Sequence, residues 1–131
     1  MKDLLITGAV YLTIDIFYIM LNSKLFHRYF RKIQASPLKF KTIPAIATYL
    51  LLTIGLYYFI IKDRRSVLDA FFLGVFVYGV YDLTNYATLK NWTLLFSLMD
   101  MLWGGIVFAL SAFIIYKIQK YRFYPSYRLF K

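Results

Sequence analysis

The sequence has 131 residues, 61% hydrophobic and 21% aromatic, more apolar surface than a soluble domain of that length can bury. Lys and Arg number 16 against 6 acidic residues, a net charge of +10; the basic residues lie between, beside or beyond the apolar runs, which argues against a nucleic-acid-binding domain with its charge on a soluble fold. With no cysteine and one histidine, His27, disulfides, thiolate chemistry and multi-histidine metal sites are excluded; no metal site is expected, and no motif identifies a cofactor.

In chain order, residues 4–22 (LLITGAVYLTIDIFYIMLN) are long enough to cross about 30 Å of hydrocarbon at about 1.5 Å per residue. Their one charge is Asp15. No small-residue cleavage site follows, so the run reads as a retained helix and not a signal peptide. Next, residues 24–35 place Leu25, Phe26, Tyr29, Phe30 and Ile33 on one helical face and Lys24, His27, Arg28, Arg31 and Lys32 largely opposite. That pattern predicts a helix lying in the interface with its basic face on anionic head groups. A tight basic loop is the alternative, since Pro37 limits the helix.

A second span is expected at 43–61, opening with Pro44 in its first turn, where the missing N–H costs little, and closing at the charged KDRR of 62–65. A third is expected at 67–89 and a fourth at 93–116, each carrying aspartate. The tail 117–131 interleaves five basic residues with aromatics, as a segment among anionic head groups would. There is no internal repeat and no Gly/Ser linker. Residues 1–131 therefore read as a single membrane domain, an all-α, integral membrane four-helix bundle with an interfacial amphipathic helix between helices 1 and 2. With four spans, nine basic residues fall on the side of the termini and seven on the other. Discounting the surface helix, this favours cytoplasmic termini.

Three acids share one depth. Asp15 is seven residues before Asn22, Asp82 seven before Leu89 and Asp100 seven after Thr93, so each lies roughly 10 Å inside the face that bears the surface helix. That face is called side B. An aspartate facing lipid would cost about 2.5–3.5 kcal/mol, so the three are expected to point inward and toward one another. Helical spacing aligns Tyr11, Asp15, Tyr18 and Asn22; Tyr78, Asp82, Asn85 and Tyr86; and Asp100, Trp103 and Gly104. No lysine or arginine occupies that depth, so at least one acid is expected to carry a proton at neutral pH, and the Trp103 indole N–H is a candidate donor to a carboxylate. Thr84 and Thr88 are expected to bond their own backbone carbonyls.

The stretch YDLTNYATLKNW at 81–92, followed by DMLWG at 100–104, resembles the signature of a family of small membrane proteins known as domain of unknown function 2177. YLTID and ATYLLLTIGLYYF, in the first two spans, are similar to that family's first half. Tyr18 and Asn91 depart from its pattern, standing where tryptophan and glycine are expected. The resemblance implies a four-helix integral membrane protein and carries no activity with it.

The candidate binding residues are Asp15, Asp82, Asn85, Thr88, Asp100 and Trp103. They suit a protein that binds or transports a proton, a cation or a small solute from side B. An enzyme acting on a lipid or lipid-linked substrate is the alternative, with Asp82 and Asp100 as acid and base or with the three acids around Mg²⁺ or Mn²⁺. The third reading is an accessory protein whose acids serve only helix assembly. Partners expected are the bilayer with its anionic head groups and a second copy of the chain, for which Gly104 and Gly105 offer close approach unless they pack internally; nucleic acid is not expected.

Overall fold

Short links at 62–66 and 89–93 force the apolar runs they join into antiparallel neighbours, as the computed structural model, which describes residues 1–34 and 41–123, has them. Helix α1 spans Lys2–Leu21, α2 Ser23–Gln34, α3 Thr42–Leu56, α4 Val67–Thr88 and α5 Leu94–Phe123. Among the described residues there is no strand. Four segments are long and apolar enough to cross a bilayer: Lys2–Leu21, Thr42–Ile61, Val67–Thr88 and Leu94–Lys120. The protein is an integral membrane protein, and its outer surface suits that solvent: Leu5, Phe17, Leu51, Phe76 and Leu95 are all exposed.

Each helix end has a local cause. Asn22 separates α1 from α2; its side-chain amide donates to the Tyr18 carbonyl (2.9 Å) and its own carbonyl accepts from Phe26 N–H (3.0 Å), so one residue serves the end of one helix and the start of the next. The far end of α3 widens into a π-helical turn, Tyr57–Ile61, where Lys62 N–H bonds the Tyr57 carbonyl and Arg65 N–H that of Ile60, both at 2.8 Å. The Tyr116 hydroxyl of α5 reaches the Ile60 carbonyl (3.2 Å) and that of Arg65. Ser66 then caps α4, its hydroxyl accepting from Asp69 N–H (3.0 Å), which ties down one of the unpaired donors of the first turn.

Helices α4 and α5 pack most closely, through glycine. A Cβ on Gly74 would stand 2.1 Å from the Gly104 carbonyl oxygen, and one on Gly104 2.3 Å from the Tyr78 ring. Gly105 is held in the same way against Phe71 and Val75. These glycines are used inside the chain, as small residues are wherever membrane helices touch backbone to backbone, so Gly104 and Gly105 are not free to form a face for a second copy. The core gathers Tyr11, Leu56, Ile60, Ala70, Phe108 and Ile115 from all four spans, from mid-depth toward the end away from side B.

The fourth helix overruns its expected end at 116. It continues through Phe123, so the first part of the expected tail is helical. Lys117 lays its ammonium 4.9 Å over the Phe113 ring, and the buried Gln119 accepts from the Arg64 guanidinium at 2.6 Å, contacts that draw polar residues along the bundle surface instead of away from it. Residues 124–131 of the tail, and Pro37 and Ala35 beyond α2, lie outside the described residues.

Candidate functional site

Asp15 sits on the inward stripe of α1, 5% exposed. Two helices supply it with donors: the Tyr49 hydroxyl of α3 donates to Oδ2 at 2.9 Å and the Trp103 indole N–H of α5 to Oδ1 at 3.1 Å. Tyr18, one turn along α1, stacks flat on Trp103 with centroids 3.8 Å apart and holds the indole in its donating orientation. One turn the other way, the Tyr11 and Tyr78 hydroxyls meet at 2.6 Å. Asp15 is thus a fully satisfied acceptor that ties α1 to α3 and α5.

Asp82 is placed differently. Its side chain is 0% exposed, and both carboxyl oxygens are buried without a donor among the described residues. On the facing helix α5, the half-buried Asp100 lies one turn beyond Ser97, whose hydroxyl touches the Asp82 backbone, and one turn before Trp103, the donor to Asp15. Behind Asp82, the buried Ser97 hydroxyl lies 3.2 Å from the Asp82 carbonyl oxygen and accepts from the Trp92 indole N–H at 2.9 Å.

The structure therefore joins Asp15 to Trp103 directly and sets Asp82 and Asp100 on the facing helices α4 and α5. Asn85 and Thr88 lie outside this group. Asn85 is half-buried; Thr88 is exposed and its hydroxyl donates to the Thr84 carbonyl at 2.9 Å, a bond a threonine makes within its own helix whatever lies opposite. Neither makes a hydrogen bond to the three acids. Tyr49 and Ser97 belong to the site and do not stand out in the sequence. Tyr49 lies in a span without a charge, and only its antiparallel alignment with α1 puts it beside Asp15. It also lines an apolar groove of about 530 Å³ between α1 and α3, so the lipid side of the site is closed by an aromatic ring whose hydroxyl is already engaged.

Among the described residues no three His, Cys, Asp or Glu side chains converge as a ligand set for a metal ion. What the arrangement can do is hold a proton between Asp82 and Asp100, or accept a small positive charge in its place, with Asp15 as the neighbouring negative charge. The family model described as predicted membrane protein (DUF2177) matches residues 1–117. No curated protein and no solved structure matches the chain. Both carboxyl-terminal motifs and the first two spans fall inside the matched region, and the chain belongs to the DUF2177 family of predicted membrane proteins.

Proposed function

We propose that the protein binds a proton or small cation in the cluster of Asp15, Asp82 and Asp100, taken up from side B, and transports that charge or a solute coupled to it. The observation that carries this reading is the fully buried Asp82 carboxyl with no donor among the described residues, on the face of α4 that meets α5, where Asp100 stands one turn beyond Ser97. Two bare carboxylates side by side within a bilayer are costly, because each loses its hydration and repels the other. A proton shared between them forms a short, charge-assisted O–H···O bond and gives one of the two orphaned Asp82 oxygens a partner.

A purely assembling role calls for a donor on a partner helix. Asp15 has two such donors and Asp82 has none among the described residues, which sets Asp82 apart as the member kept for binding. Metal-assisted chemistry on a lipid phosphate needs a converging ligand set, so the enzyme reading has less support. Transport through so small a bundle further implies two or more copies around the path, meeting on a face other than that of Gly104 and Gly105. With the surface helix discounted, the balance of basic residues favours both termini in the cytoplasm and side B opposite; reporter fusions at each terminus test that orientation.

Infrared spectroscopy of the protein in lipid nanodiscs tests the site. A protonated-carboxyl band is expected at neutral pH without added metal, and Asp82→Asn should remove it. Proteoliposomes should show proton or cation uptake that the same substitution abolishes. Absence of the band in the native protein overturns proton sharing, and uptake unchanged by Asp82→Asn overturns the site.

A further inference from the structure

Helix α2 has two unlike faces, and the structure gives each a separate environment. Lys24, His27, Arg28, Arg31 and Lys32 are exposed. Among the described residues none of them pairs with an acid, the one ion pair being Arg65–Asp69 at the opposite end of the bundle. An unpaired row of positive charge at a bilayer surface is a binding face for negative head groups.

The inner face is latched to the turn between α4 and α5. Tyr29 stacks on Phe96 with centroids 4.0 Å apart and meets Trp92 edge-on at 5.6 Å; Phe30 meets Trp92 at 5.7 Å. Two polar contacts fix the register. Thr93 N–H, an unpaired donor at the start of α5, bonds the Tyr29 hydroxyl (2.9 Å), and the Asn91 amide bonds the Lys32 carbonyl (3.2 Å).

From this latch, two short chains of contact run to the acids. Trp92, 4% exposed, donates to Ser97, whose hydroxyl lies against the Asp82 carbonyl. Phe26 packs on Tyr18, which stacks on Trp103, which donates to Asp15. Helix α2 therefore touches the immediate supports of two of the three acids from side B.

We infer that the basic face of α2 is a docking surface for the head groups of anionic phospholipids, and that this docking clamps α2 as a cover over the side-B end of the acid cluster. The cover has a functional meaning only on the binding role proposed above; the docking surface stands without it. Anionic lipid holds the outer face, the aromatic latch transmits the hold, and the turn at 89–93 stays closed. Zwitterionic lipid leaves the latch to its own contacts.

Nanodiscs of phosphatidylcholine, with or without phosphatidylglycerol, provide the test. Native mass spectrometry of protein released from mixed discs should show phosphatidylglycerol retained preferentially, the preference falling roughly fivefold for each residue neutralised in Arg28→Gln, Arg31→Gln and Lys32→Gln. These side chains are exposed, so the variants keep the fold. Hydrogen exchange should show residues 89–97 better protected in discs with phosphatidylglycerol than without, and the triple variant should lose the difference. No lipid preference, or one that survives the triple variant, overturns the docking surface. Equal protection in both discs overturns the clamp. Neither readout involves a carboxyl proton, so both are separable from failure of the proton-sharing reading, which the infrared band decides.

Discussion

Asparagine at position 82 distinguishes an acid that binds from one that assembles, because the two acids differ in what they leave behind when changed. Asp15 satisfies Tyr49 O–H and Trp103 N–H, at 2.9 and 3.1 Å. Orphaning a buried donor costs about 1–3 kcal/mol, so Asp15→Ala should destabilise the bundle by about 2–6 kcal/mol. Asp82 has no donor to orphan among the described residues. In Asp82→Asn the shape is kept, the new amide N–H gives Asp100 a permanent donor, and the Ser97 contact goes to the backbone carbonyl and survives. Stability should stay within about 1 kcal/mol of the parent or rise. Reversible unfolding in mixed micelles, followed by tryptophan fluorescence, measures both variants, and proteoliposome uptake measures function. The expected pattern is a stable Asp82→Asn without uptake beside a weakened Asp15→Ala. A loss of 2 kcal/mol or more in Asp82→Asn, on the order of the Asp15 effect, would show that Asp82 holds helices together and would refute the reasoning.

The close packing of α4 on α5 makes Gly74→Ala a severe change, since the new Cβ would lie 2.1 Å from a backbone oxygen that cannot rotate away; a loss of about 3 kcal/mol or more is expected by the same unfolding assay. Gly55→Ala is its control, with nothing within 4 Å of the added Cβ, and should gain about 0.5–1 kcal/mol from helix propensity. Trp103→Phe keeps an aromatic ring on Tyr18 and removes the donor to Asp15; it should cost about 1–3 kcal/mol and leave Trp92 as the fluorescent reporter. Tyr29→Phe keeps the stack on Phe96 and removes the acceptor of Thr93 N–H, so exchange of that amide should quicken by about fivefold, about 1 kcal/mol, in hydrogen-exchange measurements.

Most of the fold was legible because the bilayer imposes a length. Runs expected at 4–22, 43–61, 67–89 and 93–116 appear as candidate spans Lys2–Leu21, Thr42–Ile61, Val67–Thr88 and Leu94–Lys120, and the alternation of basic and aromatic residues marked α2. What escaped was set by partners distant in sequence. Nothing in YYFII announces a π-helical turn; its distinguishing contact is with Tyr116, on α5. Likewise α5 runs past Tyr116 because Gln119 meets Arg64, and a tail read alone shows only its charge.

The site was legible to the extent that cost is legible. An aspartate within an apolar run must face inward, and equal residue counts from side B on helices that run in opposite directions already put three of them at one level. Composition could not assign the donors. Tyr49 is one of 13 tyrosines, and nothing local separates it from Tyr58, which faces outward; only the antiparallel alignment of α3 with α1 does. Helical spacing made Asp82, Asn85 and Tyr86 look like one lining, yet Asn85 is only half-buried and Tyr86 is exposed, because α4 turns the face of Gly74, Tyr78 and Asp82 toward α5. At the level of Asp82 the facing helix carries a second acid, Asp100, and no donor to Asp82 among the described residues, an arrangement that costs energy if its purpose is packing alone, which is why the proposed binding role is placed on this pair.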